Sequence, residues 1–158
     1  MTAELIESHD LEILIPLLHD AEEGDDRIVR AIEDPGCAAY LALDGAEPVG
    51  AAVVRWAQDE SELLYIAVRA QVRGRGYGKA MVRDVLEEAR RRGVRAVLVG
   101  TANTGLDNIM FYQKCGFRMD AVRKDFFDYF PEPLYDNGIQ MRDMLVLRYE
   151  FEASSPRN

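Results

Sequence analysis

A run of glycines and cations, RGRGYGK at residues 73–79, is the part of the sequence best suited to bind an anion. Apolar residues precede it at 63–68, and a helical pattern follows it. Glycines let the backbone approach a ligand closely, and the start of a helix adds unpaired N–H donors and a partial positive charge. Together with the charges of Arg73, Arg75 and Lys79, this order of elements predicts a binding site for a phosphate-containing ligand.

The spacing of the glycines separates three kinds of phosphate ligand. A nucleotide P-loop requires G-x-x-x-x-G-K and then a hydroxyl for magnesium, whereas Gly74 to Gly78 is one residue too short and Ala80 stands at the hydroxyl position. A dinucleotide fingerprint requires G-x-G-x-x-G, which differs from the alternating pattern around Gly76. The third pattern, R-x-x-G-x-G starting at Arg73, fits. A basic surface turn without a ligand is the remaining alternative, although three alternating glycines would weaken such a turn without a structural benefit.

Charge is distributed unevenly along the chain. The net charge is −9, yet residues 69–95 hold nine basic residues against three acids. The negative total argues against general nucleic-acid binding, whereas the basic region fits a small anionic ligand. The acidic remainder suits a cationic second substrate, or it serves solubility alone.

Composition predicts one soluble domain over residues 1–152, with a frayed polar tail at 153–158. The sequence has no apolar run of membrane-spanning length, and residues 1–10 carry acids without a basic signal-peptide region, so we expect a cytoplasmic protein. Cys37 and Cys115 are interpreted as small apolar residues. Neither lies in a cluster of metal-ligand spacing, so no metal site is expected.

The periodicity of apolar residues predicts a mixed α/β sheet with helices on both faces. Asp10 is expected to cap the first helix, Pro16 to kink it or end it early, and Thr104 to open the fourth helix with a capping box. Residues 125–138 are expected to form a loop with room for a short helical turn. Strands are expected near residues 3–7, 37–43, 49–56, 61–68, 95–101, 117–122 and 139–151. A first helix is expected from about residue 10, and further helices near 25–33, 76–92 and 104–115.

A second motif, FYQKCGF at residues 111–117, closes the fourth expected helix. With R-x-x-G-x-G earlier in the chain, it resembles the two signatures of the GNAT acyltransferase superfamily, which binds acetyl-CoA. The expected element order matches that fold over nearly the whole chain, which implies a central sheet of about six to seven strands and about four helices. Segments that resemble a bacterial GNAT subgroup lie at 100–118, 125–127, 131–133, 136–140 and 142–144.

The resemblance implies an acetyl-CoA site. Backbone groups at the end of the preceding strand would bind the pantetheine arm, with the Val68 N–H as donor to the thioester carbonyl. The family often has an asparagine seven residues before the motif tyrosine; here that position is Gly105, with Asn103 and Asn108 as nearby substitutes. The implied donor-site residues are Ile66, Ala67, Val68, Arg73, Gly74, Arg75, Gly76, Tyr77, Gly78, Lys79, Asn103 and Asn108.

The same resemblance implies two catalytic residues. Tyr112 maps onto the general acid that protonates the leaving thiolate, the alternative being a packed core tyrosine. Glu62 lies six residues before Val68, an offset at which several GNAT enzymes carry a general base. Regular alternation would place Glu62, Leu64, Ile66 and Val68 on one face of the strand. An exposed strand acid without a catalytic role is the alternative for Glu62.

The sequence therefore predicts an acetyl-CoA-dependent N-acetyltransferase that transfers its acetyl group directly to a primary amine in a ternary complex. Acids of residues 125–138, such as Asp128 and Asp136, would select a cationic acceptor, unless they belong to a solvated surface loop. The alternative is a non-catalytic acyl-CoA-binding protein of the same fold, which would not need Tyr112 or Glu62. A homodimer is expected, without nucleic-acid or membrane partners.

Overall fold

The computed structural model describes residues 3–22 and 24–152, in which strands and helices surround one central sheet. The predicted tail at 153–158 lies outside the described residues. The strands are β1 (Glu4–Glu7), β2 (Cys37–Asp44), β3 (Glu47–Arg55), β4 (Glu60–Val68), β5 (Ala96–Ala102), β6 (Arg118–Arg123), β7 (Tyr135–Asp136), β8 (Ile139–Gln140) and β9 (Met144–Glu150). The α-helices are α1 (Leu11–Leu18), α2 (Asp25–Glu33), α3 (Tyr77–Arg91) and α4 (Leu106–Lys114).

Seven strands form a mixed sheet in the order β1-β2-β3-β4-β5-β9-β6, and β7 and β8 form a separate hairpin. Neighbouring strands are antiparallel except β4 and β5, whose parallel pairing covers residues 60–63 and 96–99. β4 nevertheless continues to Val68 and β5 to Ala102. The two strands therefore diverge in the middle of the sheet, and a gap opens between them. The predicted mixed α/β sheet is confirmed.

Helices cover both faces of the sheet, each with its own hydrophobic cluster. On the α1–α2 face, Leu14 and Ile28 pack against β2 and β3. On the α3–α4 face, Met81 and Tyr112 pack against β3, β4 and β5. Within the described part of the chain, the helices fall short of the length and apolarity that crossing a membrane requires.

Strand β4 contains a bulge at Leu64. Val54 of β3 pairs with Leu63, and Val53, the residue before it, pairs with Tyr65. Leu64 is therefore an extra residue in β4, and an extra residue interrupts the alternation of side chains between the two faces.

The bulge places Glu62 on the opposite face from Ile66 and Val68. Ile66 and Val68 pack in the cluster of the α3–α4 face, as does Leu63. Glu62 directly precedes Leu63 in a regular part of the strand, so its side chain lies on the α1–α2 face. The prediction that Glu62, Ile66 and Val68 share one face is therefore wrong, because it assumed an uninterrupted strand.

The helix-boundary predictions have mixed outcomes. Asp10 caps α1, since its Oδ1 accepts from the N–H of Glu12 at 3.1 Å, and α1 ends soon after Pro16. Both predictions for α1 are confirmed. Helix α4 instead has Gly105 at its N-cap, so the predicted capping box at Thr104 is wrong.

The predicted single strand at 139–151 is also wrong. Residues 139–140 form β8 of the separate hairpin, residues 141–143 lie outside the strands, and the chain then enters the seven-stranded sheet as β9. The predicted loop before it contains a short 3₁₀ turn at Phe126–Tyr129, as expected.

Gly50 occupies a position where a larger residue would disturb the sheet. A Cβ at Gly50 would lie 2.4 Å from the Ala67 carbonyl oxygen and 3.1 Å from Met81 Sδ. Because the backbone of β4 cannot move away locally, we expect Gly50→Ala to lower the free energy of unfolding by about 2 kcal/mol or more, measured by urea denaturation. Gly36→Ala, whose Cβ would approach the flexible Asp34 carboxylate at 3.3 Å, is the matched control. Equal losses in both variants would contradict this account.

Candidate active site

The gap between β4 and β5 is lined on the β4 side by backbone groups. The N–H of Arg69 donates to the Val49 carbonyl of β3 at 2.8 Å. In an antiparallel ladder hydrogen-bonded and non-hydrogen-bonded pairs alternate, so Val68 and Ile66 lie in non-hydrogen-bonded pairs. Their N–H and C=O groups therefore point away from β3 and into the gap, whereas those of Ala67 point towards β3.

The loop at residues 73–79 connects the end of β4 to the start of α3. Gly74 and Gly76 have φ angles of 78° and 88°, a backbone conformation that residues other than glycine adopt only with strain. The first internal hydrogen bond of α3 runs from the N–H of Ala80 to the Gly76 carbonyl. The N–H groups of Gly78 and Lys79 precede that bond, so the helix start presents donors and a partial positive charge to an anion.

The three cations of the loop have different surroundings. Arg73 Nε donates to the Val68 carbonyl at 3.0 Å, and its Nη2 pairs with the Asp20 carboxylate. Arg75 and Lys79 are exposed and do not occur among the ion pairs of residues 3–22 and 24–152. Arg73 therefore fixes the loop to β4, and Arg75 and Lys79 are the cations that an incoming anion meets.

Tyr77 contributes backbone rather than a side chain to the loop. Its ring is buried, and its hydroxyl donates to Asp44 Oδ2 at 2.5 Å. This hydrogen bond raises the pKa of the Tyr77 phenol. The side chain thereby anchors the start of α3 to the end of β2.

Gly78 is the point where the two sequence motifs meet. A Cβ at Gly78 would lie 3.4 Å from the Phe111 ring and 3.7 Å from Val68. The Phe111 ring in turn contacts Tyr112 edge-to-face, with 5.1 Å between ring centroids. The fold therefore places the anion loop, the end of β4 and the 111–117 motif side by side, although they are distant in the chain.

Tyr112 lies on the α3–α4 face and is 6% exposed. Its ring also contacts Phe117 edge-to-face at 5.7 Å. Burial raises the pKa of the Tyr112 phenol well above its ordinary value, so the hydroxyl keeps its proton across the physiological range. Packing of this kind suits both a general acid and a core tyrosine.

Glu62 lies on the other face of the sheet from Tyr112. Its Oε1 is 3.8 Å from Arg123 Nη2 of β6, and its side chain is 23% exposed. The two predicted catalytic residues therefore flank the sheet from opposite sides, and the gap between β4 and β5 is the passage that connects the two faces.

Asn103 has a structural partner for each end of its side-chain amide. Its Nδ2 donates to the Gln140 carbonyl at 3.1 Å, and its Oδ1 accepts from the N–H groups of Arg142 and Asp143 at 2.9 and 3.1 Å. These bonds hold residues 140–143 in the irregular path that separates β8 from β9. They engage both ends of the amide without a ligand, leaving one Nδ2 hydrogen, and they argue against the predicted pantetheine role.

The departure from the family pattern at Gly105 has a steric reason. A Cβ at Gly105 would lie 2.7 Å from Thr101 Oγ1, so the position has no room for an asparagine side chain. The amide of Asn108 lies next to the same point, with Nδ2 at 3.6 Å, and Asn108 is exposed. Of the two predicted substitutes, Asn108 is the one available to a ligand.

A cluster of four residues on the α1–α2 face was missed at the level of sequence. The Arg27 guanidinium stacks over the Tyr129 ring at 4.3 Å, and Arg27 Nε donates to Glu22 Oε2 at 3.0 Å. The Arg27 guanidinium also lies close to the Tyr65 hydroxyl of β4. Burial raises the pKa values of Tyr65 and Tyr129. The four residues come from separate elements and share no motif, so no local signal identifies this Arg27 cluster (Glu22, Arg27, Tyr65, Tyr129).

The described part of the chain contains no cluster of metal-binding side chains. Within residues 3–22 and 24–152, histidine, cysteine and acidic side chains form no group of three that could hold a metal ion.

Known proteins share both the sequence pattern and the fold. The model of the acetyltransferase (GNAT) family matches residues 6–117. An uncharacterized N-acetyltransferase of Bacillus subtilis, YvbK, is 35% identical over 136 residues, which cover 85% of this chain and 86% of that protein.

Two similar crystal structures contain the expected donor or its product. A GNAT family acetyltransferase from Elizabethkingia anophelis with acetyl-CoA bound has a TM-score of 0.86 and 29% identity, covering 95% of this chain and 99% of that one. A Bacillus subtilis acetyltransferase in complex with CoA has a TM-score of 0.85 and 33% identity, covering 96% and 99%.

Variants of the two asparagines separate a structural role from a ligand-binding role. Asn103→Ala removes three hydrogen bonds, so we expect a loss of about 2–3 kcal/mol in the free energy of unfolding and an acetyl-CoA affinity within about twofold of the wild type. Asn108→Ala should show the reverse, a preserved stability and a weaker affinity. Urea denaturation and isothermal titration calorimetry measure the two quantities. Weakened binding in a fully stable Asn103→Ala variant would overturn the assignment.

Proposed function

The chain belongs to the acetyltransferase (GNAT) family and is an acetyltransferase, and we propose that it moves the acetyl group of acetyl-CoA directly to a primary amine in a ternary complex. One observation carries the proposal. The gap between β4 and β5 is lined by backbone donors and acceptors, and it ends beside a loop and a helix start that suit a phosphate. An acid candidate and a base candidate lie on opposite faces of the sheet.

The loop at 73–79 and the start of α3 bind the pyrophosphate of the donor in this proposal. Arg75 and Lys79 supply the charges, and the backbone at Gly74 and Gly76 allows close approach. Arg73 acts indirectly by holding the loop to Val68. The backbone groups in the gap bind the pantetheine arm as an added strand would, and Asn108 extends this contact.

Backbone donors polarise the thioester. We assign the Val68 N–H to the thioester carbonyl oxygen, and the Ile66 N–H points into the same gap. Donors that are fixed in the sheet need no reorganisation as negative charge develops on that oxygen, which is why such groups lower the barrier to acyl transfer.

Glu62 is the proposed base. An alkylamine with a pKa of about 10.4 is mostly protonated near neutral pH, so a proton must leave before nitrogen attacks. Glu62 takes it directly or through one water, from the α1–α2 face. The ion pair with Arg123, at 3.8 Å, leaves the carboxylate partly exposed and able to accept a proton.

Tyr112 is the proposed acid, acting from the α3–α4 face. As the new C–N bond forms and the C–S bond breaks, its phenol donates to the departing sulfur. A phenol with a raised pKa is a weaker acid than a thiol, whose ordinary pKa is about 8.5, so the phenol first stabilises the negative charge growing on the sulfur by donating a hydrogen bond. The proton that the amine releases balances the proton that CoA finally carries.

The acceptor and the assembly state are predictions carried from the sequence. Selection of a cationic amine by Asp128 and Asp136 stays a prediction, and both residues are exposed in the structure. A homodimer likewise stays a prediction. The acyl-CoA-binding alternative would retain the loop and the gap without requiring Tyr112 and Glu62 on opposite faces, an arrangement that favours the enzyme.

Release of free CoA, followed with a thiol reagent over a panel of amines, tests the proposal. We expect acetyl-CoA to stabilise the protein against heat and at least one class of primary amine to accelerate CoA release. Binding of acetyl-CoA without amine-dependent release from any member of the panel would support the non-catalytic alternative.

Tyr112→Phe removes the proposed acid and keeps the ring packing. We expect kcat to fall by about 10²- to 10⁴-fold, with acetyl-CoA affinity within about twofold, because the hydroxyl acts on the leaving group. An acid must be protonated to act, and its pKa is raised, so the wild-type rate should not decline with pH up to about pH 10. Tyr149→Phe, in β9, is the matched control. Wild-type activity in Tyr112→Phe would exclude the role.

A further inference from the structure

Arginines are the more exposed partners of the ion pairs on the α1–α2 face near the gap. The exposed fractions are 41% for Arg27 against 12% for Glu22, 43% for Arg123 against 23% for Glu62, and 50% for Arg55 against 39% for Asp34. The order varies elsewhere: Arg69 is 34% exposed against 65% for Glu47, whereas Arg91 is 66% exposed against 32% for Glu88. Although the chain is acidic overall, Arg27, Arg55 and Arg123 therefore leave charged groups accessible on this face.

Glu22 has little capacity left for a ligand. Its Oε1 accepts from the N–H of Gly24 at 3.1 Å, and its Oε2 accepts from Arg27 at 3.0 Å. The carboxylate is also the most buried of the three acids in these pairs. A cationic acceptor would have to displace Arg27 to reach it.

Arg27 retains hydrogen-bonding capacity. A guanidinium has five N–H donors in a fixed plane. The Nε of Arg27 donates to Glu22, and the Tyr129 ring covers a face of the plane. The side chain is 41% exposed, which leaves donors of the guanidinium for a ligand. A planar fork of this kind matches a carboxylate, which accepts two parallel hydrogen bonds.

The position of Arg27 relates it to the acetyl group. Tyr65, which it contacts, immediately precedes Ile66, whose backbone points into the gap. Arg27 is therefore separated from the gap by the length of one tyrosine side chain. Tyr129 also ties the loop at residues 125–138 to this point, on the same face of the sheet as Glu62.

We propose that the acceptor is a primary amine that also carries a carboxylate, and that Arg27 determines this specificity by binding the carboxylate. The inference rests on the proposed acetyl transfer. Tyr129 and Glu22 hold the guanidinium in place, and the amine at the other end of the acceptor reaches the gap.

Matched pairs of amines test the proposal. CoA release is measured with 4-aminobutanoate against n-propylamine, 5-aminopentanoate against n-butylamine, and O-phosphoethanolamine against ethylamine, with spermidine as the cationic acceptor. We expect the wild type to prefer a carboxylate over its neutral partner by about tenfold or more in kcat/KM. Arg27→Gln should raise KM for the carboxylate amine about 10- to 100-fold, with kcat and the neutral amine nearly unchanged.

Two further variants keep the result interpretable. Arg27→Lys keeps the charge without the fork and should give an intermediate KM, and it decides the question if Arg27→Gln does not fold. Arg91→Gln, which removes an arginine paired with Glu88 on the other side of the protein, should retain the wild-type preference. Thermal unfolding and acetyl-CoA titration report whether each variant is folded.

Each outcome has a defined meaning. Preference for O-phosphoethanolamine with the same Arg27 dependence would overturn the carboxylate and assign a phosphate in its place. Preference for spermidine or neutral amines, or an equal loss for both members of a pair in Arg27→Gln, would overturn the role of Arg27 and leave acetyl transfer intact. Absence of CoA release with every amine, despite acetyl-CoA binding, would instead contradict the proposed function itself.

Discussion

The arrangement of the site depends on one extra residue in strand β4. The bulge at Leu64 lies just beyond the last pair that β4 forms with β5, so the change of side-chain orientation and the opening of the gap occur at the same place. Before the bulge, Glu62 faces the α1–α2 side. After it, the backbone of Ile66 and Val68 faces the gap while their side chains pack on the α3–α4 side. Strand β4 thereby carries the base candidate on one face and lines the gap with backbone groups.

The two sides of the gap are held by different kinds of interaction. The donor side relies on close backbone and apolar contacts. Gly78 leaves room for Phe111 and Val68, and the Arg73 side chain donates a hydrogen bond to the Val68 carbonyl. Such contacts are short and tolerate little substitution. The proposed acceptor side contains ion pairs and stacked rings around Arg27, whose strength depends on charge and solvent and whose members come from loops as well as helices.

The sequence was sufficient for the order of the elements as far as β6 and for the family, because both motifs are local and each has a clear physical role. It did not reveal the bulge, since no glycine or proline marks Leu64 and alternation was assumed to continue. The role of Asn103 and the break in the last strand depend on contacts across 37 to 40 positions of the chain, which no local pattern encodes. The Arg27 cluster was missed for the same reason. Gly105 showed the departure from the family pattern, but only the contact with Thr101 explains it.

The ion pair between Arg73 and Asp20 has a thermodynamic consequence. Asp20 lies two residues before Glu22, so the short connection after α1 touches the donor loop at one point and the Arg27 cluster at the next. In the proposed mechanism, an anion that drew Arg73 away from Asp20 would remove one contact of the segment that holds Glu22 beside Arg27. Linkage between two binding sites is reciprocal, so any coupling of the proposed donor and acceptor sites through this segment would have the same magnitude in both directions. The two proposed sites thus share a structural element outside the gap.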